Sequence, residues 1–127
     1  MLLDAHSGAR YLALIMGVAV IAYAAYGMAT KRPYDKTMRI LASSFTMSLD
    51  LTLLFGLALV FTGTFYPALG GHIVMMVLAV AVAHIVSVVI RKRPLEQRTY
   101  APHLVSTIIV LAMLAVGAMA IGRSILS

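Results

Sequence analysis

Two histidines and an arginine are the side chains of this sequence best suited to hold a cofactor. His6 and Arg10 are one helical turn apart near the start of the chain, and His72 opens a later apolar run. Imidazole nitrogens bind haem iron, and a guanidinium pairs well with carboxylates such as the haem propionates. The sequence has no cysteine, so thiolate metal sites and covalent c-type attachment are excluded. We predict His6 and His72 as axial ligands of haem b, with Arg10 beside the propionates.

Small side chains share the sides of the two predicted helices that carry these histidines. Residues on one side of a helix recur every three or four positions. The two sides consist of His6, Arg10, Ala13, Gly17 and Ala24 in the first helix, provided that it begins before His6, and of His72, Met76, Ala79, Ala83 and Ser87 in the third. Small residues let helices approach closely in lipid, so we expect both sides to face inward, with room for a flat cofactor between them.

Asp50 and His84 are further ionisable residues inside apolar runs. An ionisable side chain that faces lipid near the middle of a span is costly, so we expect both to be buried and partnered. Asp50 is interpreted as a polar tie between helices, as a group that takes part in proton transfer, or as the group that holds the second nitrogen of a ligand histidine. His84 lies about 18 Å along the helix from His72, so these two cannot share a metal. His103 is interpreted as an interfacial residue.

Four apolar runs dominate the chain and define its fold class. Of the 127 residues, 62% are hydrophobic and 11% are charged, which is unlike an ordinary soluble domain. The runs cover about residues 11–30, 38–62, 73–90 and 104–121, each close to the roughly 20 residues that cross a bilayer as a helix. With short connections between them, they predict a single-domain, all-α, four-helix transmembrane bundle of up-down-up-down topology over residues 1–127.

The basic residues predict how the bundle is oriented. The net charge is +6, and the positive residues are concentrated in the first and third connections, as Lys31, Arg32, Lys36 and Arg39 and as Arg91, Lys92, Arg93 and Arg98. Loops rich in lysine and arginine stay in the cytoplasm, so both termini are expected on the outer side. The positive charge is therefore explained by the orientation of the helices in the lipid bilayer, and nucleic acid is not an expected partner.

Three segments resemble a group of small bacterial four-helix membrane proteins of cytochrome b-like type. They are HSGAR at 6–10, SLDLTLLFGLALVF at 48–61 and HIVMMVLAVAVAHI at 72–85. The resemblance implies a place in the bacterial inner membrane, with His6, Arg10, Asp50 and His72 as the characteristic polar residues. The group's pattern has an acidic residue before the second histidine and a tryptophan after the arginine, where this chain has Gly71 and Tyr11. The missing acid argues against proton handling at that position.

Electron transfer by haem b is the function that these features favour. The chain would be a small subunit of a respiratory or photosynthetic membrane complex near quinone, or would form a homo-oligomer. One alternative is a structural or accessory subunit without a cofactor. Another is a copper protein, because Met75 and Met76 follow His72 and thioethers suit Cu(I). No phosphate-binding loop, nucleophile elbow or HExxH motif is present, so a stand-alone enzyme is not predicted.

Overall fold

The computed structural model describes residues 2–63 and 67–122, which form a bundle of four α-helices. These are α1 (Leu2–Ala29), α2 (Lys36–Phe61), α3 (Pro67–Arg91) and α4 (Ala101–Met119). A short 3₁₀ helix, Leu95–Gln97, lies in the connection between α3 and α4. The all-α prediction is confirmed for the described part of the chain.

All four helices are long and apolar enough to cross a membrane. The candidate spans are Ala5–Ala29, Lys36–Phe61, Leu69–Arg91 and Ala101–Met119, with mean hydropathies between 1.8 and 2.9. The predicted runs fall within these helices except at three ends: α1 and α2 each end one residue earlier than predicted, and α4 ends two residues earlier. α1 begins nine residues before the predicted run, because backbone hydrogen bonding continues past the point where hydropathy falls.

Small side chains form the centre of the bundle, as the two predicted inward sides require. Ala13 and Ala24 of α1 are buried, and so are Ala79 and Ala83 of α3. At Gly17 an added Cβ would lie 3.0 Å from the Phe45 ring and 3.1 Å from Leu111. The close approach of α1 to its neighbours therefore depends on residues that have little or no side chain.

The four helices do not pack against one another equally. α1 has its most extensive interface with α2, and α3 has its most extensive interface with α4. α2 and α3 share the smallest interface of the neighbouring pairs. The bundle is therefore tightest around α1 and most open between α2 and α3.

Two helix starts follow familiar local rules. The Asp35 carboxylate caps α2 by accepting a hydrogen bond from the Met38 amide at 3.0 Å. Pro102 occupies the first turn of α4, where its missing N–H has no helical partner to lose. The connections that precede these helices are thereby fixed in position, and they carry side chains that pack at the same end of the bundle.

Candidate functional site

A cavity of about 290 Å³ lies between the four helices, at the end where α1 and α3 begin. Leucine, isoleucine and valine side chains make up most of its wall. The polar side chains that reach it include His6, Arg10 and His72, so the structure brings together the three residues predicted to hold a cofactor. We call this space the histidine cavity.

His6 is held by a backbone carbonyl of α2. Its Nδ1–H donates a hydrogen bond to the Thr52 oxygen, with 2.9 Å between nitrogen and oxygen. Because a carbonyl oxygen can only accept, the proton of the neutral ring is on Nδ1 and the lone pair is on Nε2. Gly56, one turn further along α2, leaves room for the ring, since a Cβ there would lie 3.0 Å from His6 Cε1.

His72 is held in the same way by α4. Its Nδ1–H donates to the Gly117 oxygen at 2.9 Å, so its lone pair is also on Nε2. Gly117 is buried against Met75 and Met76, and an added Cβ there would collide with the Met76 methyl group. His6 and His72 therefore share one tautomer and one kind of partner, although they belong to different helices.

This arrangement prepares both imidazoles to act as metal ligands. A hydrogen bond from Nδ1–H to a carbonyl fixes the orientation of the ring and makes Nε2 more basic, which is the usual support for a ligand histidine. Arg10 adds a positive charge to the wall, and its guanidinium carbon lies 4.6 Å from the centroid of the Tyr11 ring. The cavity can thus offer two nitrogen lone pairs and one cation to a bound molecule.

Asp50 and His84 are paired with each other and not with the ligand histidines. His84 Nε2–H donates to Asp50 Oδ1 at 2.7 Å, and the two side chains are 45% and 46% exposed in the single chain. The prediction that they are buried is wrong for the single chain. The interface between α2 and α3 is the smallest of the neighbouring pairs, and both side chains remain partly exposed there. One predicted role of Asp50 is to hold the second nitrogen of a ligand histidine. In the structure, the backbone carbonyls of Thr52 and Gly117 accept the hydrogen bonds from those nitrogens instead.

His103 is buried, not interfacial. It is 6% exposed, its Nε2 is 2.8 Å from the Tyr34 hydroxyl, and the two rings are stacked with centroids 5.5 Å apart. The Tyr100 hydroxyl donates to the Pro33 carbonyl at 2.8 Å, and the Tyr100 ring also packs against Tyr34. Sequence reasoning missed this group, although Tyr34 and Pro33 in the first connection and Tyr100 in the third were a signal for it.

Asp35 is the anionic centre of the same end of the bundle. Its carboxylate accepts hydrogen bonds from the Tyr23 hydroxyl and from Arg32, in addition to the Met38 amide. The Tyr23 hydrogen bond is the main reason that the pKa of Asp35 is lowered from its usual value. Burial raises the pKa of the neighbouring Tyr34 hydroxyl. We call Tyr23, Tyr34, Asp35, Tyr100 and His103 the tyrosine cluster.

A metal site built only from protein side chains is not visible in the described residues. Across 2–63 and 67–122, no three or more His, Cys, Asp or Glu side chains come together. Met76 lines the histidine cavity beside His72, and Met75 packs at its edge against Gly117. Histidine and methionine thus adjoin at one point, as the copper alternative expects, but the two imidazoles are the stronger pair of ligands there.

No protein-family model matches this chain, and no curated protein or solved structure is significantly similar to it. The resemblance to small bacterial cytochrome b-like proteins therefore stays a prediction. A function for the chain has to be inferred from the histidine cavity itself.

Proposed function

We propose that this protein binds haem b in the histidine cavity and transfers electrons within a membrane. One observation carries the proposal: His6 and His72 reach the same cavity from different helices, and each has its Nδ1 proton engaged by a backbone carbonyl. Haem b is the cofactor that two such imidazoles suit, because histidine nitrogens would hold its iron and its binding requires no cysteine. When bound, it would supply one-electron transfer at its iron.

The residues around the two histidines have distinct roles in this proposal. The carbonyls of Thr52 and Gly117 orient the two imidazoles that would hold the haem, and Arg10 would provide the charge that pairs with a propionate. Gly56 keeps the space beside the His6 imidazole open, and Gly117 leaves room for Met75 and Met76. The apolar wall excludes water, which is one way in which a protein sets the potential of a redox centre.

The membrane setting of the proposal follows from the distribution of charge. Successive helices would run in opposite directions across a bacterial inner membrane, with the two basic connections in the cytoplasm. Both termini and the histidine cavity would then be near the outer surface. In this setting the chain would act as a small subunit of a respiratory or photosynthetic complex, exchanging electrons with quinone.

A second candidate is favoured by the size of the cavity. Its volume of about 290 Å³ is at the lower end of the range for small-molecule pockets, roughly 300–1,000 Å³. A quinone head group is a single ring and needs less room than a porphyrin. Arg10 could donate to a quinone carbonyl, and a histidine Nε2 could accept the hydroxyl proton of a quinol. The chain would then be the accessory subunit without a cofactor, contributing to a quinone site.

Absorbance spectroscopy tests the first candidate directly. Purified from bacterial membranes, the protein should show a sharp reduced-minus-oxidised difference spectrum with one haem per chain. His6→Ala and His72→Ala should each abolish the spectrum, because each removes an axial ligand. His84→Ala is the matched control and should leave the spectrum unchanged, since His84 lies outside the cavity.

A colourless protein without iron, from cells that make haem normally, would contradict the haem proposal. The quinone candidate makes a different prediction for that protein. Quinone extracted from it should be stoichiometric, and should be lost in Arg10→Ala and in His72→Ala. Neither result is expected if the chain only provides structural support.

A further inference from the structure

The ion pair between Asp50 and His84 is within the membrane spans and on the outside of the chain. Asp50 is near the middle of α2, and His84 is well inside the span of α3. The two side chains remain 45% and 46% exposed. Apolar side chains surround the pair, and Met47 and Leu54, one turn to either side of Asp50, are 64% and 60% exposed. Unless protein covers this surface, lipid tails must contact an aspartate and a histidine.

Hydrocarbon is a poor environment for these groups. Lipid tails offer no hydrogen bonds, and ionisable residues inside membrane spans nearly always face protein or water. The hydrogen bond within the chain uses one carboxylate oxygen and one ring nitrogen. The other oxygen and the other nitrogen each have hydrogen-bonding capacity of their own. The surface around the pair therefore favours a protein partner over lipid.

The two helices that carry the pair are also the least covered. Within the chain, 17% of the span of α2 and 17% of that of α3 are buried, compared with 28% for α1 and 28% for α4. The interface between α2 and α3 is also the smallest of the neighbouring pairs. The exposed pair of ionisable side chains and the two least buried spans therefore belong to the same two helices.

We propose that a second copy of this chain covers this surface, forming a two-fold symmetric dimer through α2 and α3. A two-fold interface must be self-complementary, because each residue meets the surface that carries its own counterpart. The surface meets this condition, since it carries one acid and one base at neighbouring positions. Asp50 of one copy can bind His84 of the second, and the reverse contact forms by symmetry. The dimer does not depend on what the histidine cavity binds.

Cysteine cross-linking tests the interface without altering the ion pair. The sequence has no cysteine, so a single introduced thiol reports only its own position. Met47→Cys should form a disulfide-linked species of twice the 13.6-kDa chain mass when membranes are oxidised. Ile15→Cys on α1 is the matched control, because Ile15 is 62% exposed and Met47 is 64% exposed. We expect at least about tenfold less dimer from the control.

An exchange of charges tests whether Asp50 and His84 pair between copies. Asp50→His alone brings histidines together across the interface, and His84→Asp alone brings aspartates together. Each variant should associate with itself about tenfold less than the natural chain does, as expected for lost polar contacts between helices. Co-expressed with different tags, the two variants should associate with each other, because both cross-interface pairs are then acid with base.

Several outcomes would overturn the proposal. One is equal cross-linking of Met47→Cys and Ile15→Cys, and another is a Met47→Cys adduct with a different protein in place of the dimer. A third is self-association of Asp50→His at the level of the natural chain. The cross-linking variants retain Asp50 and His84, so they remain informative if a charge variant fails to fold.

Discussion

At the end of the bundle where α1 and α3 begin, two histidines line a cavity, whereas at the opposite end a third histidine is packed beneath a tyrosine. His6 and His72 each have Nδ1 bound to a backbone carbonyl, which leaves the lone pair on Nε2 within reach of a ligand. His103 has its Nε2 bound to the Tyr34 hydroxyl and its ring stacked on the tyrosine. The same residue type therefore lines a cavity at one end and is packed against other side chains at the opposite end.

The difference indicates which feature of a histidine would make it suitable for binding in this fold. Burial does not do so, because His103 is the most buried of the histidines described. The informative feature is which ring nitrogen makes a hydrogen bond and which group is its partner. A carbonyl on Nδ1 orients the ring and leaves Nε2 for a ligand, whereas a hydroxyl on Nε2 occupies the nitrogen that a metal would need.

Enlarging a glycine beside His6 should have the largest effect on the cavity end. Gly56→Leu places its side chain where a Cβ is already 3.0 Å from His6 Cε1, so the ring must move and the space must fill. We expect the haem absorbance of the purified protein to fall more than about tenfold. Gly70→Leu is the control, because an added Cβ there meets nothing within 4 Å. Full haem content in Gly56→Leu would mean that the cofactor lies elsewhere.

The contrast between the two ends was only partly predictable from the sequence. Periodicity and hydropathy gave the four helices and the inward sides of α1 and α3, because helix geometry links spacing directly to direction. Those sides placed His6 and His72 at one cavity. Periodicity does not give the distance between neighbouring helices. That distance determines how exposed Asp50 and His84 are, so their exposure was not predicted. Periodicity also gives no account of connections, so the stacking of Tyr34 on His103 was missed.

Enlarging a glycine at the tyrosine end should reduce stability and leave haem binding intact. At Gly27 an added Cβ would lie 2.6 Å from the Tyr100 ring, so Gly27→Ala forces the ring out of its packed position. Overpacking of this kind costs about 1–3 kcal/mol of unfolding free energy. Denaturation in detergent micelles, followed by circular dichroism, measures the loss.

The same helix provides the control for that substitution. Gly8 is exposed, and an added Cβ there meets nothing within 4 Å. Gly8→Ala should therefore stabilise the protein slightly, by roughly 0.5–1 kcal/mol, because alanine is the better helix former. Similar effects of Gly8→Ala and Gly27→Ala would contradict the tight packing of Tyr100 on α1.

Removing the hydroxyl of Tyr34 should destabilise the protein to a similar extent. Tyr34→Phe keeps the stacked ring and leaves the buried Nε2 of His103 without its partner. An unsatisfied buried nitrogen costs about 1–3 kcal/mol, whereas replacing both partners with apolar groups costs less than the two single changes together. The double variant Tyr34→Phe/His103→Phe should thus recover part of the loss in the same denaturation experiment. Strictly additive losses would mean that the hydrogen bond contributes little.

The smallest expected effect concerns Asp35, and pH makes it measurable. Asp35→Ala removes the cap of α2, for a loss of about 1 kcal/mol. Because the folded pKa of Asp35 is below the unfolded value of 3.8, its carboxylate stabilises the folded protein above about pH 4. That contribution is lost as the pH falls from there through the folded pKa. The natural protein should therefore lose more stability between pH 5 and about pH 3 than Asp35→Asn, which keeps a capping oxygen without the charge. Equal acid sensitivity of the two proteins would show that Tyr23 and Arg32 do not stabilise the ionised carboxylate, and that the tyrosine cluster is held by packing alone.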